Sequence, residues 1–397
     1  MALTPLSDAL ERILSDVEAT LDYDTVALEA ASGRYCAATI NATLSVPPAD
    51  NSAMDGYAVA SHNVPGTLAI SQRVPAGHAP LPLEAGTAVR IFTGAEIPAG
   101  ADTVILQEDA EAGEGQVSLP AAQTGQHIRR RGSDIQPGDT LVGAGHRLTP
   151  PDIGLLASVG LDAVPVFRPL NVAVLTTGDE LREPGSGDLH PGQIFNSNRF
   201  SLAAQIRALG MTVIDCGNLP DDPDQIGDAL ERAAAEADCI VTAGGVSVGE
   251  EDHVKSQIEQ RGALDLWKLA IKPGKPLAFG HVASTPIFGL PGNPVSAFIT
   301  FALVAKPWLI KRQGGHPLPV QRFPVKAAFA LTRPGTREEF LRVRLTGSGE
   351  ALRAALTGSQ SSGVLTSLSE ADGLAVIAPG TTVAEGDWVE VMPLWAL

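Results

Sequence analysis

The sequence is short of cysteine and of positive charge, and both shortages narrow the possible functions. Its three cysteines, Cys36, Cys216 and Cys239, stand far apart without a CxxC pair. That pattern predicts buried free thiols in a reducing compartment rather than disulfides. Asp and Glu number 45 against 28 Lys and Arg, which gives a formal net charge of -17. Such a surface repels nucleic acid phosphates and anionic lipid, so we expect neither as a partner.

Long apolar runs and a targeting segment are also missing. The N-terminal stretch MALTPLSDALERIL is acidic and amphipathic, without the basic flank and apolar core of a signal peptide. We find no run of about 18 consecutive apolar residues, the length that a membrane span needs. The sequence therefore predicts a cytoplasmic protein that does not span a membrane.

The hydrophobic pattern changes along the chain and predicts a multidomain α/β protein. Apolar residues at helical spacing over 6–21, after Ser7 as N-cap, predict an amphipathic helix. Short apolar runs separated by Gly and Pro predict an inserted β-rich domain over 47–140. Strands and helices then alternate, which predicts a doubly wound, mainly parallel sheet domain over 169–317. A C-terminal β-barrel-like domain is expected over 318–397, and an N-terminal helical, linking domain over 1–46 and 141–168.

Three glycine-rich turns follow apolar strands of the predicted sheet. They are TTGDE at 176–180, TAGGVSVG at 242–249 and GLPGNPVS at 289–296. Ligand sites in such sheets lie at the carboxyl ends of the strands, so we expect the three turns to converge on one pocket. Glycine backbone lets amide groups approach phosphate oxygens closely. Carboxylates such as Glu180 and Asp252 would repel a phosphate unless a divalent cation, most simply Mg²⁺, lay between them.

Lysines are concentrated in one segment of a chain that otherwise contains few. WKLAIKPGKP places Lys268, Lys272 and Lys275 within eight residues. We expect Lys268 and Lys272 to share a strand face by period two and to bind an anion together. By composition alone, PPADNSAMDGYA at 47–58, TGA at 93–95 and RRRGSD at 129–134 are typical of surface loops.

These strings together resemble the molybdopterin molybdenumtransferase family, the MoeA type that includes the E domain of gephyrin. The match runs in family order through PPADNSAMDGYAV, RIFTGA, IPAGADTVILQED, RRRGSDI, TTGDEL, GGVSVGEED, WKLAIKPGKP and GLPGNPVSA, from residue 47 to residue 300. The resemblance implies four domains, one of them β-rich and inserted. It also implies a homodimer whose active cleft lies between the β-rich domain of one subunit and the doubly wound domain of the other.

The resemblance assigns roles to residues on both sides of that cleft. Asp55, Thr93 and Asp134 would act from the β-rich side, and Glu180 and Asp252 from the sheet. Mg²⁺ would be held by Glu180, Asp252 and one of the adjacent pair Asp221 and Asp222. Substrate contacts would come from a larger group: Gly244, Gly245, Ser247, Lys268, Lys272, Lys275, Pro291, Gly292, Asn293, Ser296 and Arg342.

The implied reaction is the last step of molybdenum cofactor synthesis. The substrates would be adenylyl-molybdopterin and molybdate. Lysines, with Arg342 and the 359–362 loop, would bind the molybdate, which attaches to the dithiolene of the pterin while the phosphoanhydride is cleaved and AMP leaves. The protein need supply only positioning and charge neutralisation, because the sulfur ligands belong to the substrate.

Two other functions and one variant compete with this interpretation. The preceding adenylyltransferase uses a related doubly wound domain, but it is a single domain and would not need the DNSAMDGYA and RRRGSDI segments. A scaffold is the rival from another class, because the E domain of gephyrin also anchors receptor peptides. Clustered carboxylates favour catalysis, since a scaffold has no use for side chains that repel one another. Tungstate has nearly the size and charge of molybdate, so the sequence leaves the oxyanion open.

Overall fold

The structure is a computed structural model, and it describes residues 3–20, 22–245 and 253–397. Its first part contains three helices and twelve short strands: α1 (Leu6–Ser15), β1 (Tyr23–Ala27), α2 (Leu28–Ala31), β2 (Ile40–Asn41), β3 (Asn51–Ser52), β4 (Gly56–Val59), β5 (Gly66–Val74), β6 (Thr87–Ile91), β7 (Thr103–Leu106), β8 (Glu111–Ala112), β9 (Gln116–Leu119), β10 (Ile128–Arg129), β11 (Thr140–Val142), α3 (Pro150–Ser158) and β12 (Ala163–Phe167).

Helix α1 is shorter than the 6–21 helix that the periodicity predicts. It ends at Ser15, and Pro5 occupies the N-cap position. The Ser7 hydroxyl donates to the Asp8 carboxylate and does not cap the helix. The apolar residue Val17 still packs against the main core, but from beyond the helix. Apolar spacing therefore predicted burial correctly and the length of the helix incorrectly.

The predicted β-rich domain is a six-stranded sheet with the order β7-β4-β6-β5-β9-β8. Neighbouring residues of β4 point to opposite faces: Tyr57 and Val59 belong to one buried cluster and Ala58 to another. Both faces are thus covered, which explains the short uninterrupted apolar runs. The chain segments before and after this sheet pair with each other, β1 with β12 and β2 with β11, so the sheet is an insertion.

The central part of the chain forms the main sheet and its helices: β13 (Asn171–Thr177), β14 (Leu181–Arg182), β15 (Ile194–Phe195), α4 (Ser197–Ala208), β16 (Thr212–Leu219), α5 (Pro223–Glu236), β17 (Cys239–Ala243), α6 (His253–Arg261), β18 (Gly262–Lys268), β19 (Ile271–Lys272), β20 (Pro276–Val282), β21 (Thr285–Leu290), α7 (Pro294–Thr300) and α8 (Lys306–Arg312). The strand order is β16-β13-β17-β21-β20-β18.

This sheet confirms the predicted doubly wound, mainly parallel architecture. Strands β16, β13, β17 and β21 are parallel, while β20 and β18 extend the sheet in antiparallel pairings. One core cluster packs α5 and α6 on one face, through residues such as Leu230 and Ile258. Another packs α4 and α7 on the opposite face, through residues such as Ile206 and Ile299. All carboxyl ends of the parallel strands therefore open at one edge.

The C-terminal part forms a small closed barrel, as predicted. Its elements are β22 (Phe323–Ala327), β23 (Glu338–Thr346), β24 (Arg353–Leu356), α9 (Thr366–Ser369), β25 (Gly373–Ile377) and β26 (Trp388–Pro393). The order β23-β24-β22-β26-β25 closes because β25 also pairs with β23. Strand β19 adds to β23 in parallel register, so a segment of the main-sheet region is joined to the barrel by hydrogen bonds.

One helical run is long and apolar enough to be compared with a membrane span. Residues Pro294–Arg312 form a continuous helix with a mean hydropathy of 1.3, which the sequence analysis did not single out. Of that segment, 67% is buried inside the protein. Its middle, Phe301–Ala305, is a π-helical turn whose residues are all buried. The run is therefore a core helix of the main domain.

The three cysteines are free thiols, as expected. Cys36 and Cys239 are buried and Cys216 is half-buried. Burial raises the pKa of all three thiols. A neutral thiol is a poor nucleophile and a poor metal ligand, so these residues contribute packing rather than chemistry.

Candidate anion-binding site at the carboxyl edge of the sheet

Three glycine-rich turns lie side by side at the carboxyl edge of the main sheet. Gly244, after β17, is so close to the end of β13 that a Cβ there would lie 3.1 Å from the carbonyl oxygen of Thr177. A Cβ at Gly292, after β21, would lie 3.8 Å from the Cα of Gly244. Asn198, at the start of α4, donates from Nδ2 to the carbonyl of Gly292 at 2.6 Å. The turns therefore form one continuous backbone surface.

A cavity of about 490 Å³ lies over this surface, between the main sheet and the barrel. The residues that line it come from the sheet turns, from the segment after β19 and from two barrel loops: Gly244, Gly245, Lys272, Pro273, Gly274, Lys275, Pro276, Pro291, Gly292, Asn293, Ser296, Arg337, Gln360, Ser361 and Ser362. Eight of these were predicted as substrate contacts, and Gln360, Ser361 and Ser362 belong to the 359–362 loop that was predicted to bind molybdate. Ser247 and Asp252, also predicted, lie outside the described residues.

Glycine is required at the floor of the cavity for steric reasons. Gly245 has φ +67°, and a Cβ there would lie 2.4 Å from Cγ2 of Val254. Gly274 has φ +112°, and a Cβ would lie 2.5 Å from Oγ1 of Thr300. Any side chain at these positions would displace a helix or strain the backbone. The bare backbone leaves room for a ligand against the turn.

Positive charge in the cavity comes from Lys272, Lys275 and Arg337. Nζ of Lys272 lies 3.2 Å from Oε2 of Glu339. The Arg337 guanidinium donates to the carbonyl oxygen of Ile271 at 2.9 Å, which fixes its position at the wall. In a chain of net charge -17, three cations that line one cavity concentrate positive charge there.

The expectation that Lys268 and Lys272 share a strand face is wrong. Lys268 is the last residue of β18, paired with Pro276 in the main sheet, and it does not line the cavity. Lys272 is on β19, paired with Glu339 of the barrel strand β23. The chain leaves one sheet for the other between the two lysines, and a local spacing rule cannot detect that change of partner.

Arg342, predicted as a substrate contact, is 1% exposed and lies behind the cavity. Its Nε donates to the hydroxyl of Ser367, and one terminal nitrogen donates to the carbonyls of Ser359 and Ser361. Burial lowers the pKa of its guanidinium. Arg342 therefore holds the loop whose residues Gln360, Ser361 and Ser362 line the cavity, and it acts on the site through that loop.

Acidic residues border the same edge of the sheet. The carboxylate of Glu180 folds back over Gly178, where a Cβ would lie 2.5 Å from its Oε2. The neighbouring Asp179 and Asp221 bond reciprocally, the backbone N–H of each donating to the carboxylate of the other. The side chain of Asp222 instead caps α5, accepting from the backbone N–H of Gln225 at 2.9 Å, and this bond lowers its pKa. Of the two adjacent aspartates, Asp221 thus contacts the loop that carries Glu180.

A buried polar network behind the acidic loop was missed by the sequence analysis. Asn196, 1% exposed, donates from Nδ2 to Thr176 Oγ1 at 2.8 Å and to Glu183 Oε1 at 3.1 Å. Arg199 bridges Glu183 and Asp215. The only sequence signal was an Asn at the N-cap of α4. This network fixes the end of β13 just before Glu180.

The donor set at this edge fits a hard divalent cation. Within the described part of the chain, no group of three or more His, Cys, Asp or Glu side chains is close enough to hold a metal alone. Mg²⁺ is normally held by one or two carboxylates together with phosphate oxygens and water. Glu180 and Asp221 are carboxylates that follow the strands β13 and β16, next to the turns that border the cavity, and neither of them lines the cavity itself.

The β-rich domain carries three of the predicted site residues, and two of them bond to each other. Oδ1 of Asp55 accepts from the backbone N–H and from Oγ1 of Thr93, both at 2.7 Å. These two bonds hold the pKa of Asp55 below its usual value. Asp134 is exposed, and its backbone N–H donates to the carbonyl of Val46.

Within the described part of one chain, the predicted site residues of the β-rich domain make no hydrogen bond or ion pair with the residues that line the cavity. Among the described residues, none of 47–134 hydrogen-bonds or ion-pairs with one of 169–397.

Comparison with known proteins covers most of the chain. Three family models match: the MoeA N-terminal region (domain I and II) over 4–160, a probable molybdopterin binding domain over 173–311 and the MoeA C-terminal region (domain IV) over 324–394. A molybdopterin molybdenumtransferase of Haemophilus influenzae is 42% identical over 315 residues, covering 78% of each chain. Molybdopterin molybdenumtransferase 2 of Mycobacterium tuberculosis is 37% identical over 97% of this chain and 98% of its own. The crystal structure of a molybdopterin biosynthesis moeA protein from Pyrococcus horikoshii OT3 has a TM-score of 0.84 at 28% identity, covering 99% and 100%.

Proposed function

The chain belongs to the MoeA family of molybdopterin molybdenumtransferases, and we propose that it inserts molybdate into the dithiolene of adenylyl-molybdopterin with Mg²⁺-dependent cleavage of the phosphoanhydride. The products would be molybdenum cofactor and AMP. The relatives that share most of this sequence are transferases of molybdenum cofactor synthesis. The cavity at the carboxyl edge supports the proposed chemistry with adenylyl-molybdopterin.

The observation that carries the proposal is the cavity's lining. Lys272, Lys275 and Arg337 face about 490 Å³ of space together with the hydroxyls of Ser361 and Ser362. Guanidinium, ammonium and hydroxyl donors at this density suit a small tetrahedral oxyanion. The glycine turns on the other wall suit a phosphate group. Oxyanion and phosphate ester would thus meet in one space.

Glu180 and Asp221 would hold Mg²⁺, with Asp252 as a predicted third carboxylate. Bound there, the ion would neutralise charge on the phosphoanhydride and on the departing adenylate. Asp179 orients Asp221, and the Asn196 network fixes the strand end before Glu180. Asp222 is left out of the set, because its carboxylate is committed to the start of α5.

A homodimer would complete the site. Asp55, Thr93 and Asp134 cannot reach the cavity of their own chain through any hydrogen bond or ion pair that the described residues make. Two copies related by a two-fold axis would place the β-rich surface of each against the cavity of the other. That arrangement also separates this function from a single-domain adenylyltransferase.

The protein need supply little to this reaction beyond the positioning of the two substrates. Two Mo–S bonds to the dithiolene would form as molybdate loses one oxygen, which would leave as water with the two thiol protons. A water would cleave the phosphoanhydride, so that the pterin keeps its phosphate and the adenylate leaves as AMP. The cations of the cavity would hold molybdate beside the dithiolene, and the turns would hold the phosphate of the pterin. Effective concentration and charge neutralisation are the sources of rate enhancement.

The experiment that tests the proposal measures AMP released from adenylyl-molybdopterin by the purified chain. We expect release that requires both molybdate and Mg²⁺ and stops when a chelator is added. The same assay with tungstate in place of molybdate shows which oxyanion the chain uses. A chain that binds peptides but releases no AMP under any oxyanion would instead be a scaffold.

A further inference from the structure

A row of stacked side chains crosses one face of the β-rich sheet. Tyr57 on β4 pairs with Arg90 on β6, and Arg90 pairs with Arg73 on β5. Phe92 comes directly after the end of β6, and its ring lies next to both arginines. The guanidinium carbons of Arg73 and Arg90 lie 4.4 and 4.5 Å from the centroid of the Phe92 ring, and Arg90 lies 5.2 Å from that of Tyr57.

This arrangement is not explained by the stability of the sheet. Like charges directly opposite each other on neighbouring strands are destabilising. Arg90 has structural partners, since it donates to the carbonyl of Gly56 and to Oε1 of Gln107. Arg73 is exposed, and within the described part of the chain its guanidinium makes no hydrogen bond or ion pair. Phe92 belongs to none of the buried clusters of the domain. Arg73 is therefore a cation that the Phe92 ring orients and that no anion of the described residues binds.

The row borders the loop that holds Asp55. Phe92 precedes Thr93, whose backbone N–H and hydroxyl bind the Asp55 carboxylate. The charge of Arg90 also contributes to the lowered pKa of Asp55, after the bonds from Thr93. Arg90 therefore offsets part of the negative charge of the Asp55 carboxylate at this surface.

We propose that Arg73, stacked on Phe92 and backed by Arg90, binds the phosphate of a nucleoside monophosphate, namely the adenylate part of the substrate and the AMP product. A guanidinium offers parallel N–H donors that match two phosphate oxygens. The Phe92 ring holds its plane in place, so little freedom is lost on binding. A dianion between the two cations relieves their repulsion. This inference rests on the proposed function, because only that reaction supplies an adenylate.

The test is calorimetric binding of AMP to the purified full chain and to three variants. Arg73→Ala removes the free guanidinium, and Arg73→Lys keeps the charge without the paired donors. The matched control is Lys326→Ala, which removes another cation stacked on a ring, Trp388, in the barrel. Unchanged melting temperatures confirm that all three variants fold, which the exposure of Arg73 leads us to expect.

We expect Arg73→Ala to weaken AMP binding by about tenfold or more, the loss typical of charge-assisted hydrogen bonds. Arg73→Lys should fall between the wild type and Arg73→Ala, and Lys326→Ala should match the wild type. Adenosine, which has no phosphate, should bind weakly and equally to all four proteins. In Arg73→Ala, the affinity for inorganic phosphate should fall less than the affinity for AMP, since inorganic phosphate has other sites in the cavity.

Three results would overturn the inference: equal AMP affinity in the wild type and in Arg73→Ala, no AMP binding by the wild type, or a loss for adenosine as large as that for AMP. Turnover is measured separately on the wild type. If AMP release depends on molybdate but AMP binding does not depend on Arg73, the phosphate site is wrong and the transferase stands. If the wild type shows no turnover, the transferase proposal fails whether or not AMP binds.

Discussion

Lys272 and Glu339 form an ion pair between a strand that lines the cavity and the C-terminal barrel. Nζ of the lysine lies 3.2 Å from Oε2 of the glutamate, whose side chain is only 14% exposed. The two residues are direct partners in the parallel pairing of β19 with β23. The barrel thus sets the position of a cation that faces the site, and an anion that binds Lys272 enters next to a fixed carboxylate.

Lys272→Ala should weaken molybdate binding by about tenfold while pterin binding is retained, because it removes one charged donor of several. Equilibrium dialysis with molybdate and, separately, with molybdopterin measures the two affinities. Lys255→Ala, which removes a lysine paired with Glu259 on α6, is the matched control. An equal loss of both ligands in Lys272→Ala would contradict a specific oxyanion role.

The adjacent aspartates Asp221 and Asp222 should behave in opposite ways. Asp222→Ala should lower the melting temperature, because it removes the cap of α5, and should leave the Mg²⁺ dependence of AMP release unchanged. Asp221→Ala should leave the melting temperature close to that of the wild type and raise the Mg²⁺ concentration needed for half-maximal release. Thermal unfolding and Mg²⁺ titration check the pair. A reversed pattern would assign the metal to Asp222.

Asp55→Ala should fold normally and lose turnover. Its carboxylate bonds only to Thr93 among the described residues, so little packing is lost. Mixing Asp55→Ala with Lys272→Ala subunits then tests where the cleft lies. The assay uses molybdate far below saturation, where Lys272→Ala alone keeps about a tenth of the wild-type rate. If each site takes one residue from each subunit, half of the dimers are mixed and each keeps one intact site, which raises the activity to about a quarter of the wild-type value. A cleft within one chain predicts no recovery.

The Arg199 network should make stability depend on pH in a defined direction. The hydrogen bond from Arg199 lowers the pKa of Asp215, so the folded state favours its ionised form. The stabilisation is present above the ordinary aspartate pKa of about 3.9 and is lost as the pH falls through the lower, folded value. Asp215→Asn should therefore melt at a lower temperature than the wild type at pH 7, and the difference should close on acidification. A difference that stays constant down to pH 3 would exclude this role.

Local patterns predicted the parts of the molecule that local geometry controls. Strand and helix alternation predicted the parallel sheet, and the position of glycines after strands predicted Gly244, Gly245 and Gly292 in one surface. Spacing could not reveal that the chain changes sheets between Lys268 and Lys272, because β19 pairs with a strand more than sixty residues away.

The contribution of the barrel to the site could be predicted only in part. The resemblance placed the 359–362 loop at the substrate, and Gln360 lines the cavity, but nothing in the sequence pointed to Arg337, which lines it from another barrel loop. Arg342 was predicted to contact the substrate, but the structure shows it buried and orienting the loop of Ser359 and Ser361. The choice between Asp221 and Asp222 required the first turn of α5, since capping depends on where a helix begins.

The most direct measurement of the central claim is the ratio of molybdenum incorporated into the pterin to AMP released in a single turnover of the wild-type chain. The account predicts equimolar amounts that appear together and only in the presence of molybdate and Mg²⁺. AMP released without molybdenum incorporation, or at a rate independent of molybdate, would mean that the cavity hydrolyses the phosphoanhydride without transferring metal, and would contradict the account.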